Sequence, residues 1–147
     1  MKNYDPIEIL IVEDNPNDAE LTIRALRKYN LANELYVAED GQEALDFIFC
    51  KNQFDSRNPI KPLKVIFLDL KLPKISGLEV LKKIKSNPLT KALPVVIISS
   101  SKEDPDIKTA YEYGANAYVV KPVGFDDFVQ AIKQIGLFWL LVNQAPE

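Results

Sequence analysis

Five short runs of aliphatic and β-branched residues punctuate the chain, at 7–12, 34–38, 64–68, 94–98 and 117–120. The first, third and fourth carry the unbroken apolar stretches Ile-Leu-Ile-Val, Val-Ile-Phe-Leu and Val-Val-Ile-Ile. Strands with no polar alternation are expected where helices cover both faces of a parallel sheet. The second run, Glu-Leu-Tyr-Val-Ala, is more polar and suits a sheet edge. Between the runs the apolar positions take a helical period. It places Leu21, Ile23, Ala25 and Leu26 on one side of the first intervening segment, and Leu78, Leu81 and Ile84 on one side of the third.

Helix starts are legible between the strands. Asn15-Pro16-Asn17-Asp18 supplies a cap, a proline at the first helical position and an acid in the first turn, and Asp104-Pro105-Asp106 repeats that arrangement. Asp40 to Glu43 and Ser76 to Glu79 have capping-box spacing. The last helix starts near Gly124 or Phe125 with the weakest cap of the five. Strand and helix therefore alternate five times, which predicts an α/β fold: a doubly wound (βα)5 domain whose parallel five-stranded sheet is joined by right-handed crossovers. The one long connection, 51–62, is polar and holds two prolines, and is expected to be an exposed loop.

Composition narrows the chemistry. With 147 residues, 47% of them apolar, the chain is expected to form a single domain spanning 1–147, its core at about 7–135 and residues 136–147 extending the last helix into a tail. The absence of histidine excludes catalytic His dyads and triads, imidazole zinc sites and a phosphohistidine carrier. One cysteine cannot form an internal disulfide. A net charge of −3 with no basic block offers no footprint for nucleic acid. The start of the chain lacks the basic and apolar regions of a secretory signal. The longest apolar run, 135–142, is far below the ~18–20 residues of a membrane span. A cytoplasmic location without membrane contact is the expectation.

Open parallel sheets place their sites at the carboxyl ends of the strands. There the chain puts Glu13 and Asp14 after the first run, Asp69 after the third, Ser99 after the fourth and Lys121 after the fifth. Each has a plain alternative: Asp14 as a helix cap, Ser99 as a turn former, Lys121 as a surface lysine. Asp69 resists one, because it follows a buried run and the next helix begins only several residues later. A charge at that position is costly unless it is paired or binds a cation. Clustered carboxylates also repel one another, and a hard divalent ion such as Mg²⁺ is the natural relief. With a hydroxyl and an ammonium beside them, these groups suit a phosphoryl group carried on a carboxylate.

The motifs Val-Glu-Asp at 12–14, Phe-Leu-Asp-Leu-Lys-Leu-Pro at 67–73 with Gly77, Ser99 after its apolar run, and Tyr118-Val-Val-Lys121-Pro122 resemble the receiver domain of two-component response regulators. The resemblance covers almost the whole chain and implies a flavodoxin-like fold of strand order 2-1-3-4-5. It implies Asp69 as phosphoacceptor, and Glu13, Asp14, Asp69 and the backbone carbonyl of Lys71 as Mg²⁺ ligands. It further implies Ser99 and Lys121 as phosphate contacts, Tyr118 as the aromatic switch, and a cis Lys121–Pro122 bond. On this basis the chain is a single-domain phosphorelay protein rather than an enzyme. A partner histidine kinase would phosphorylate it, and a downstream protein would read its helix 4, strand 5 and helix 5 face. The long 51–62 loop and the Phe138-Trp139 ending resemble the stand-alone receivers partnered with phytochrome kinases.

Residues 135–142 would be apolar all round a helix, which suggests a homodimer or partner contact at Phe138 and Trp139, the alternative being a tail folded back on the core. Other classes fit less well. A phosphohydrolase of the haloacid-dehalogenase type needs a second Asp where Lys71 stands, and an FMN carrier needs a phosphate cradle where Glu13 and Asp14 stand. A degenerate receiver, binding partners without phosphorylation, is the remaining alternative. It would be expected to lack one of the site residues, and all are present.

Overall fold

The computed structural model describes residue 4 and residues 6–28, 34–58 and 63–134. Strands β1 (Ile9–Val12), β2 (Leu35–Ala38), β3 (Val65–Leu68), β4 (Val95–Ser99) and β5 (Ala117–Val120) alternate with helices α1 (Pro16–Lys28), α2 (Gly41–Ile48), α3 (Gly77–Ser86), α4 (Asp104–Glu112) and α5 (Phe125–Gln134). All strand pairs are parallel, in the order β2-β1-β3-β4-β5. The expected fold and strand order are those observed. Phe138, Trp139 and the extension at 136–147 lie outside the described residues, as does the association surface expected there. Among the described residues no helix is long and apolar enough to cross a membrane.

Side chains alternate across a strand, so each buried strand feeds two separate cores. Leu10, Val12, Ile66, Leu68, Val95 and Ile97 pack with Ala44, Phe47, Leu81 and Ile84 of α2 and α3. Ile9, Ile11, Val65, Phe67, Val96 and Ile98 pack with Ala25 and Leu26 of α1 and Phe128 of α5. This two-sided burial is why β1, β3 and β4 have no polar alternation, while β2, at the edge, has only Ala38 fully covered. Three of the caps form as expected. Asn15 Oδ1 accepts from the N–H groups of Asn17 and Asp18, Asp40 Oδ1 from Glu43, and Ser76 Oγ from Glu79.

Three local expectations need correction. Asp104 is the first residue of α4 rather than its cap; Glu103 occupies the cap position without a side-chain hydrogen bond. Ser101 ties this start by another route, its Oγ accepting from the Glu103 N–H at 3.3 Å and donating to Asp106 Oδ2 at 2.5 Å. In α1 the buried side is Ala19, Thr22, Ala25 and Leu26, and Leu21 faces solvent.

The 51–62 connection is not simply exposed. Left-handed Cys50 and Asn52 lead into and begin a 3₁₀ turn at Asn52–Phe54, which drives Phe54 into the core. Its ring lies 5.0 Å from those of Tyr4 and Phe47 and 5.5 Å from that of Tyr36. Buried Arg57 donates from Nε to the Phe47 carbonyl at 2.9 Å and lies 4.6 Å over the Phe47 ring, closing the end of α2. We expect Phe54→Ala to cost about 3–5 kcal/mol, the range for emptying a buried aromatic site. Urea unfolding checks this; a loss below about 1 kcal/mol would mean that the loop is dispensable to the core.

Candidate functional site

Register brings the chemistry together. Val12 pairs with Leu68, so Glu13 and Asp69 leave neighbouring strands at one level. Ser99 pairs with Val120, so Lys121 leaves β5 beside it, and the Lys121 N–H donates to the Ser99 carbonyl at 2.8 Å. The Lys121–Pro122 peptide is cis, as the family resemblance implies. Asp69 and Glu13 are both buried, and Asp14 is exposed. Carboxylate oxygens of Glu13, Asp14 and Asp69 lie within 4.8 Å of one another.

The Lys121 ammonium is the organising cation. Its Nζ lies 2.6 Å from Glu13 Oε1, 2.9 Å from Asp18 Oδ2 and 3.1 Å from Asp69 Oδ2. Burial works against its charge, but hydrogen bonds to Glu13, Asp18 and Asp69 outweigh that and hold its pKa above the ordinary lysine value. Glu13 is raised as well, which for a carboxyl disfavours the charged form. Burial pushes its carboxyl up to about 7; Lys121 pulls it down, and Asp69 adds to the rise. One ammonium thus leaves Glu13 only partly compensated for its burial. A hard divalent cation with oxygen ligands answers that shortage, and the cluster can bind such a metal.

Ser99 ends β4 fully buried, and its Oγ accepts from the Ser101 N–H at 3.1 Å. Tyr118, half-buried, donates from its hydroxyl to the Ser101 carbonyl at 3.0 Å. Lys71 is exposed, and its N–H donates to Asp69 Oδ1 at 3.3 Å. The residues singled out in the sequence at the strand ends are therefore gathered at one edge of the sheet.

One contributor escaped sequence reasoning, and a second was singled out only as part of the family motif. Asp18 reads in the sequence as an acid in the first turn of a helix, yet its carboxylate holds Lys121 from 103 positions away. Gly77 looked like part of a capping box, but a Cβ there would lie 2.1 Å from the Asp69 carbonyl oxygen and 2.5 Å from Leu70 Cα. The start of α3 thus rests directly on the backbone that carries Asp69. An acid one turn into a helix that begins at the same sheet edge was the available signal for Asp18. Gly77 stands in the family motif, but the reason for it is a tertiary contact that no local pattern shows.

Comparison with known proteins agrees with this fold and places the chain in a family. Residues 9–133 match the response regulator receiver domain family. The chain is 35% identical over 142 residues to the probable methanogenesis regulatory protein FilR2 of Methanothrix harundinacea, spanning 97% of this chain and 89% of FilR2. It is 36% identical over 135 residues to the response regulator Rcp1 of Synechocystis sp., spanning 92% and 90% of the two. The solved Mn²⁺-bound form of Rcp1 superposes with a TM-score of 0.75 at 33% identity, over 95% of this chain and 98% of that one. The bacteriophytochrome response regulator RtBRR superposes with a TM-score of 0.83 at 48% identity, over 94% and 82%. The family match runs from the first residue of β1 into the last turn of α5 and takes in the whole sheet with the edge it builds. The chain belongs to the response regulator receiver domain family.

Proposed function

We propose that Asp69 is the phosphoacceptor of this receiver, taking a phosphoryl group from a phosphohistidine on a partner histidine kinase. An Asp69 carboxylate oxygen forms the new P–O bond as the P–N bond to the donor imidazole breaks, and the imidazole nitrogen keeps the electron pair and gains a proton. The observation that carries the reading is the buried Asp69 carboxylate, 3.1 Å from Lys121 and within 4.8 Å of Glu13 and Asp14 oxygens. Glu13, Asp14, Asp69 and the Lys71 carbonyl would hold Mg²⁺, which when bound supplies positive charge for the phosphoryl oxygens. Lys121 donates to one of those oxygens, and Ser99 turns its hydroxyl hydrogen to another.

The output runs through a short chain of hydrogen bonds. Ser99 Oγ holds the Ser101 N–H, and the Ser101 carbonyl holds the Tyr118 hydroxyl. Drawing Ser99 toward a phosphoryl group moves Ser101 and releases Tyr118, altering the face made by α4, β5 and α5. A downstream protein reads that face. The similarity to the bacteriophytochrome response regulator RtBRR favours a phytochrome-type kinase as the donor. The protein turns over no substrate beyond its own acyl phosphate and acts in the cytoplasm. The alternative, a receiver that binds without phosphorylation, is disfavoured because Glu13, Asp14, Asp69, Ser99 and Lys121 are all present.

With acetyl phosphate and Mg²⁺ the protein should gain one acid-labile phosphoryl group per chain, measured by intact mass, and Asp69→Asn should gain none. Label on Asp69→Asn at the parent level would remove Asp69 from this role. Metal binding should be proton-linked. Above about pH 7 Glu13 is ionised and ready to ligate; below it a cation must displace the proton held there. The apparent Mg²⁺ affinity should then fall by up to about tenfold per pH unit below 7 and be flat above it. Calorimetric titration between pH 5.5 and 8 reads this, and a flat profile would deny Glu13 a place among the ligands.

A further inference from the structure

We propose that Asp18 is a positioning residue for Lys121, the carboxylate that keeps the ammonium in place once its other two partners are engaged elsewhere. The inference rests on the phosphoacceptor reading above. A protonated lysine has three hydrogens, and Lys121 spends them on Glu13, Asp18 and Asp69. Two of those partners, Glu13 and Asp69, belong to the acidic cluster, and among the described residues Asp18 does not. A cation in the cluster draws on Glu13 and Asp69, and a phosphoryl group covers Asp69. The contact that persists through both events is the one to Asp18.

Asp18 is built for that task. Its N–H donates to Asn15 Oδ1 at 3.2 Å, and its carbonyl accepts from the hydroxyl of buried Thr22 at 3.3 Å, so the first turn of α1 is fixed at both ends. Its carboxylate is about one-third exposed, while the Lys121 side chain is only 13% exposed. A pair shielded to this degree is stronger than a surface ion pair and does not require full desolvation of the acid. Held from α1, Lys121 stays beside Asp69 with N–H groups free for an arriving anion. Without Asp18 it has no partner outside the cluster among the described contacts, and the side chain must be ordered anew when the anion binds.

Titration of the parent, Asp18→Ala and Asp18→Asn with beryllofluoride at saturating Mg²⁺, followed by fluorine NMR, tests the proposal. Asp18→Ala should bind beryllofluoride about tenfold more weakly, the order of one charge-assisted hydrogen bond. Asp18→Asn keeps an oxygen acceptor and should remain within about threefold of the parent. The Mg²⁺ affinity of both variants, measured without beryllofluoride, should stay within about twofold, since Asp18 acts through Lys121 and not as a ligand. Parent-level or tighter binding by Asp18→Ala, an Asn variant as weak as the Ala variant, or a parallel loss of Mg²⁺ affinity would each overturn the positioning role. A parent that binds no beryllofluoride would instead overturn the phosphoacceptor reading, so the two failures are told apart.

Discussion

A single ammonium group holds the functional edge of this molecule together. Lys121 reaches from the end of β5 across β4 to carboxylates set by β1, β3 and the first turn of α1. Buried like charges repel, and a carboxylate at a covered sheet edge is costly without a counter-charge. Burial raises the pKa of Glu13, Lys121 offsets this only in part and Asp69 adds to the rise, so one positive charge falls short there. The shortfall is useful. It leaves the cluster with an electrostatic demand that a divalent cation meets and that no further side chain in the cluster supplies.

The rest of the fold serves to keep these charges in register. Continuous apolar strands fix β1 against β3 and β3 against β4 with no freedom to slip, since any one-residue shift would carry the buried set of one core into the other. Gly77 extends the control to the third dimension, letting the start of α3 press on the backbone of Asp69 and Leu70 where any side chain would collide. At the opposite end of the sheet Lys85 performs a similar tethering task. Its Nζ donates to the Lys91 and Leu93 carbonyls and to Asn116 Oδ1, joining α3 to the approaches of β4 and β5, while burial lowers its pKa.

Much of this was legible in the chain itself, for definite reasons. Strand runs, caps and strand-end residues are local signals, so the (βα)5 order and the convergence of Glu13, Asp14, Asp69, Ser99 and Lys121 could be read directly. What stayed hidden depended on tertiary contact. Phe54 and Arg57 sit in a polar, proline-bearing stretch whose composition says loop, and only the aromatic cluster with Tyr4, Tyr36 and Phe47 shows why they are buried. Leu21 fits a helical stripe by spacing but faces away from the sheet, because α1 packs through Ala19, Thr22 and Ala25 instead. Asp18 met a sufficient local explanation as a first-turn acid, and that concealed its second role.

The distribution of anchoring also bears on which part of the molecule is free to respond. The helices α1, α2 and α3 start on side-chain caps and bury several residues each. Helix α4 starts on Glu103 with no side-chain cap and buries only Ala110 among its nine residues. Its first turn is tied chiefly through Ser101, whose hydroxyl meets Asp106 and whose backbone meets both Ser99 and Tyr118. Elements with few buried contacts are the ones that shift at low cost. In the proposed switch, a pull on Ser99 therefore meets little resistance from α4 and strong resistance from the sheet, and the displacement is directed to the α4 and β5 surface by the difference in packing alone.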